Sequence, residues 1–112
     1  MKLYEILLCT TDSAPSRRIT HTFGLVRGSS VRARHLGKDI TAAFKNLVGG
    51  EIDDYTKLMA EAREQALDRM TAEARALGAD AVVGLRFSGT EITAGAAEFL
   101  AYGTAVKLAP GE

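Results

Sequence analysis

The side chains that could do chemistry in this chain are few. Cys9, His21 and His35 are its thiol and its two imidazoles, the donor types that hold soft and borderline metal ions. They are separated by 11 and 13 residues, with no Cys-x-x-Cys, His-x-x-x-His or His-x-x-Glu-His pattern to bring two of them together. These three are the candidate ligands for a divalent metal ion. A structural zinc site wants about four ligands, so the expectation is no stoichiometric zinc in protein purified without added metal. A lone cysteine is more often a small buried hydrophobe, and His21 shares a parity with Ile19 and Phe23 at what reads as a core edge. Ligands repeated around a ring axis would change the count, because several copies of one histidine converge there.

Thr10, Thr11, Gly24 and Gly28 are the better candidates for a small polar pocket. Hydroxyl donors beside glycine-exposed backbone can hold a small ligand, although hydroxyls at strand ends are ordinary. Cys9, Ser13 and the Thr10-Thr11 pair are the available nucleophiles. No Gly-x-Ser-x-Gly elbow accompanies them, and neither histidine is placed by spacing as their base. Asp53-Asp54 is a carboxylate pair that a helix start explains through capping. Glycine-rich phosphate loops are missing. Arg27, Arg32, Arg34, His35 and Lys38 could grip phosphates, but no aromatic residue stands among them to stack on a base. A solvated loop or a subunit contact suits that stretch better than nucleic acid does.

The elements that must position these residues follow from hydrophobic period. Tyr55, Leu58, Met59, Ala62, Ala66, Met70, Ala74 and Leu77 recur three or four residues apart, which predicts one face of a helix over Tyr55–Leu77. Lys57, Glu61, Glu64, Asp68 and Glu73 turn mostly outward, Asp53 or Asp54 caps the start, and Gly78 ends it. After Gly78 the period becomes two, with Ala81, Val83, Leu85 and Phe87 on one face of a strand over 81–88. Further strands are expected over Leu3–Thr11, Ile19–Val31 and Ala97–Leu108, with a turn at Gly89–Gly95. Gly24 and Gly28 inside the second strand suggest a bulge or a close backbone approach. Leu36, Ile40, Ala43, Phe44 and Leu47 fit a short helix closed by Gly49 and Gly50. The order β–β–α–α–β–β predicts a two-layer α+β domain. A small, mainly antiparallel sheet carries the long helix on one face, and one strand of the final hairpin slots between the strands that flank the helix.

At 112 residues and zero net charge, the chain is one domain with a single modest core and no bulk attraction to nucleic acid or membrane. Residues 1–50 carry eight Lys/Arg against three Asp/Glu, and residues 51–112 carry six against eleven. Such a split suits a subunit whose basic patch meets the acidic patch of the next copy. Aromatic residues are 6% and Trp is absent, so large apolar area is scarce. With one sheet face expected to lack a cover within the chain, a homo-oligomer is the remedy. The N-terminus has no long apolar run followed by a small-residue cleavage site, and no stretch approaches the roughly 20 residues of a membrane span. A cytoplasmic protein is expected.

Several motifs then line up with one family. LVGG (47–50), Tyr55 with Leu58, EAREQAL (61–67) and LGADAVVG (77–84), together with Thr10-Thr11, Gly24-x-Val26-x-Gly28 and GTAVK (103–107), resemble the YbjQ-like family of bacterial proteins. The resemblance runs from about Leu8 to Lys107. It implies a β-α-β-β core similar to the dodecin subunit, with extra short strands that build a pentameric ring, and it brings a heavy-metal-binding label to a largely uncharacterised group. Glu51 departs from the basic residue common after the paired glycines, which removes the cation an anion site there would use. The reading is a ring-forming, non-enzymatic protein that binds a small ligand or a metal. Two alternatives stand beside it: an enzyme with a site between subunits, using Cys9 or Thr10 with His21 or His35, and a structural adaptor ring.

Overall fold

Ala62, Ala66, Met70 and Ala74 recur every four residues, and all four are fully buried. They form the inner stripe of α1, the helix Ile52–Ala76. The structure, a computed structural model, describes residues 5–33, 52–93 and 95–111, with helix side chains from Thr56 onward. Alanine has no bulk to hold a helix off its neighbour and no side-chain entropy to lose, so the backbone of α1 can come close to the sheet. The helix stops where Gly78 takes a left-handed φ of 83°. Gly78 N–H donates to Arg75 O at 3.0 Å and Ala79 N–H to Ala74 O at 3.1 Å, which satisfies carbonyls that the helix end leaves over. Two expectations shift with these bounds. Leu77 falls after the last helical residue and is 46% exposed, and Asp53 and Asp54 lie inside the helix instead of capping it.

The sheet beneath α1 has the order β1-β3-β4-β2, where β1 is Leu7–Leu8, β2 Ile19–Ala33, β3 Ala81–Thr93 and β4 Ala96–Leu108. β4 pairs antiparallel with both β2 and β3, and β1 pairs parallel with β3. The last strand therefore slots between the two that flank the helix, as the element order predicts, and the fold is a two-layer α+β sandwich on a mixed sheet. The first strand is shorter than the span Leu3–Thr11. The hairpin turn is also tighter than Gly89–Gly95, because pairing continues to Thr93↔Ala96. Thr90, Ile92 and Thr93 are β-branched, which favours strand over turn. The short helix expected over 36–47 lies outside the described residues.

Two glycine bulges change which side chains face the helix. Register shifts fall between Thr22 and Gly24 in β2 and between Val83 and Arg86 in β3, where Gly24 (φ 119°) and Gly84 (φ 63°) adopt the positive φ that glycine tolerates. One added residue moves every later side chain to the other face. Phe23 and Val26 thus meet the helix-side core while Leu25 is 63% exposed, which corrects the single parity read for 19–25. Likewise Ala81 and Val83 sit on the outer face and Leu85 on the helix face, which corrects the single parity read for 81–87.

The helix-side core joins Val26, Ala66, Met70, Ala74, Val82, Leu85, Ala101 and Ala105, with Phe23, Leu67 and Phe99 packed at its margin. A second cluster lies on the outer face: Ala14, Ala81, Val83, Val106 and Leu108, with Cys9 and Ile19 against it. Part of the outer face is therefore covered by the chain's own segment 9–19, contrary to expectation. Farther along the strands, Leu25 and Val31 (58% exposed) stay open.

Gly28 is where sheet and helix come closest. A Cβ built there would overlap Met70 N and Ala66 O and lie 2.7 Å from Arg69 Cβ. Beside that contact, Gln65, Arg69 and Glu73 form a four-residue-spaced row along β2. Ser30 Oγ donates to Gln65 Oε1 at 2.7 Å, Arg69 Nη1 donates to Ser29 O at 2.7 Å, and Arg27 N–H donates to Glu73 Oε1 at 2.7 Å. The last two bonds occupy backbone groups on the outer edge of β2.

Candidate functional site

β1 carries the chain onto the edge of β3, and Thr10 and Thr11 follow directly. Cys9 N–H donates to Val82 O at 2.9 Å, Leu85 N–H to Cys9 O at 3.0 Å and Gly84 N–H to Thr11 O at 2.7 Å. The bulge at Gly84 is thus tied to the threonine pair through backbone. Arg86 Nη1 donates to Thr10 O at 2.9 Å and to Leu85 O at 2.8 Å. Both threonines are exposed, and Thr11 Oγ1 donates to Ser13 O at 2.6 Å. The chain then turns at Pro15-Ser16, with Ser16 at φ 63° and Ala14 bridging Arg17. Arg17 Nε donates to Ala109 O at 2.8 Å, which holds the segment down over the outer cluster.

Gly24 and Gly28 lie in β2, with β3 and β4 between them and the threonines. The four residues proposed as one pocket are therefore not brought together in a single chain. Gly28 faces the helix backbone, so its bare Cα is filled by α1. Gly24 has open space around it and serves the bulge.

The metal candidates are likewise separated. Cys9 is half-buried against the outer cluster. His21, opposite Lys107 in β2, is exposed and meets Phe23 edge to face at 4.7 Å. His35 lies outside the described residues. Among the described residues no three of His, Cys, Asp and Glu gather as a metal-holding group. A resident metal is not matched by the donors this part of one chain supplies. No helix among the described residues is long and apolar enough to cross a membrane.

The basic stretch does not form one surface. Arg27 is exposed on the outer face, whereas Arg32 lies on the helix side with a buried Nε that has no hydrogen-bond partner among the described residues. Pairing instead assembles a row that residue spacing could not reveal: Arg86 of β3 and Arg27 of β2 each stand opposite Tyr102 of β4 across the outer face. Finding it requires the register, which depends on the shifts at Ile19/His21, Thr22/Gly24 and Val83/Arg86. Gly24 announces one of them, but nothing in the sequence says how far β3 shifts at Gly84.

A solved protein of unknown function from the DUF74 family of Pediococcus pentosaceus shares the fold, with a TM-score of 0.55 at 17% identity over 93% of this chain and 98% of that one. Much nearer in sequence is a UPF0145 protein of Archaeoglobus fulgidus, 55% identical over 93% of this chain and 96% of the relative. Another from Fervidobacterium nodosum is 57% identical over 92% and 95%, and one from Thermus thermophilus is 50% identical over 98% and 96%. Because Archaeoglobus is an archaeon, these relatives extend beyond the bacteria. A family model described as "Putative heavy-metal-binding" matches residues 6–109, and with relatives this similar across almost its whole length the chain belongs to the YbjQ-like family.

Proposed function

We propose that this chain is a non-enzymatic, self-assembling cytoplasmic protein that closes into a ring, a pentamer by family resemblance, and holds a small ligand or heavy metal between subunits. The observation that carries the reading is uncovered apolar surface on a small chain. Leu25 and Val31 stand open on the outer face, and Phe87 and Ile92 of β3 are 48% and 55% exposed. Side chains of that size favour burial against another copy. The edge of β3 adds to this, because β1 and the residues after it accompany β3 only as far as Leu85.

Separation of the donors supports a site shared between chains. Cys9 and Thr10 belong to the β3 side of the sheet and His21 to the β2 side, so a metal would take its ligands from several copies. The same separation keeps these nucleophiles from pairing with His21 as a base within one chain. Light scattering coupled to size exclusion tests the assembly, with a mass several times 11.9 kDa expected. A stable monomer at micromolar concentration refutes it. Native mass spectrometry of the same sample reads any co-purifying ligand or metal.

A further inference from the structure

Arg27 and Arg86 stand on either side of Tyr102 on the outer sheet face, two strand spacings apart, or about 9.6 Å. Both arginines are exposed and Tyr102 is half-buried. Carbonyls of Thr10 and Leu85 fix the Arg86 guanidinium without neutralising it. Glu73 meets Arg27 through the backbone N–H, not through the guanidinium. The ion pair found among the described residues is Lys107 with Asp80, so this row presents two cations that no carboxylate of the described chain answers. A sheet face is flat, whereas sites for small molecules are concave. The row suits a surface.

The back of α1 supplies the complement. Glu61 and Asp68 are seven residues apart, nearly two full turns, so both point away from the buried stripe, with Glu64 beside them. All three are exposed. Their separation along the helix is about 10.5 Å, which matches the arginine spacing to about an ångström. Lys57 stands one turn before Glu61, so a helix shifted by that turn would set a lysine against an arginine.

We infer that the Arg27–Tyr102–Arg86 row docks on the Glu61–Glu64–Asp68 stripe of a second copy of this chain. Arginine and tyrosine are the residues that most often anchor such contacts. The inference rests on the self-assembly proposed above and names its surfaces: sheet face to helix back, a contact between unlike patches that repeats from copy to copy.

Two full-length variants test it, Arg27→Glu and the double variant Glu61→Lys with Asp68→Lys, at low salt by size exclusion with light scattering. Each alone is expected to assemble at least about tenfold more weakly than wild type, and combining the three substitutions in one chain, which sets opposite charges against each other at every contact of a ring of any size, should recover the wild-type mass. The Arg27 side chain makes no bond among the described residues, so the far-UV circular dichroism spectrum of its monomer should match wild type and exclude misfolding as the cause. Wild-type assembly with both variants unaffected, or a combined variant that stays apart, overturns this inference alone. A monomeric wild type overturns the self-assembly reading together with it. If Arg27→Glu keeps its assembly but loses binding of inorganic phosphate that wild type shows, the row is an anion site and the docking inference is wrong.

Discussion

Replacing Gly28 with alanine is the sharpest test of how helix and sheet hold together. The new methyl would overlap Met70 N and Ala66 O and approach Arg69 Cβ to 2.7 Å, where ordinary contact begins at 3.4 Å. Backbone in a hydrogen-bonded helix cannot step aside atom by atom, so α1 must lift by the best part of an ångström. A gap of about 0.5–1 Å forfeits a quarter to a half of each dispersion contact across it, and overpacking of this kind costs ~1–3 kcal/mol. The lift also stretches the bonds from Gln65, Arg69 and Glu73 to β2, which contribute roughly 1 kcal/mol or more each where intact. The expected loss is ~3–5 kcal/mol, a large part of the stability of a small domain. Urea denaturation at fixed protein concentration, followed by circular dichroism, measures it. A loss below ~1 kcal/mol with an unchanged slope would refute the close-packing argument and return Gly28 to the list of ligand-lining positions.

Met70→Ala should cost ~2–5 kcal/mol by emptying a fully buried site, and a loss under ~1 kcal/mol in the same denaturation would mean the helix-side core collapses to fill it. Ser16→Gly should raise the melting temperature, since Ser16 sits at φ 63° and relief of the left-handed penalty, ~1–2 kcal/mol, exceeds the added freedom of the unfolded chain; a lower melting temperature contradicts this. Elemental analysis of protein purified without added metal should find well under one metal per chain, because Cys9 and His21 are held apart. One metal per chain, lost in Cys9→Ala or His21→Ala, would overturn that expectation.

The helix was legible because its signal is redundant: four buried positions four apart, a glycine to end it and acids on its back all point to the same element. The existence of β2, β3 and β4 was equally plain from alternation, and Gly24 and Gly28 each carried the right physical hint, a bulge at one and a close approach at the other. Facing was not legible. Gly84 reads in the sequence as one more small residue in an apolar run, yet its bulge moves Leu85 to the opposite side from Val83. That Thr10 and Thr11 do not adjoin Gly24 and Gly28 within one chain was hidden for a related reason. Sequence places residues along strands, and only strand order says that two further strands lie between them. The cover that segment 9–19 gives the outer face depends on Ala14 and Cys9 packing across a sheet, a long-range contact without periodicity.

The two edges of the sheet differ in a way that limits how copies can add. Along β2, Glu73 and Arg69 already occupy outward backbone groups at Arg27 and Ser29, while β3 beyond Leu85 has no such occupant among the described residues. In the language of polymers, the two ends differ in reactivity toward strand addition: β2 is capped where Arg27 and Ser29 lie, and β3 beyond Leu85 is the more reactive end. A partly capped end propagates growth poorly, so β3-to-β2 strand pairing between copies is disfavoured along the middle of β2. Removing the cap, as in a Glu73→Ala, Arg69→Ala double variant, opens the middle of β2 and makes the two ends more nearly equal partners for chain extension.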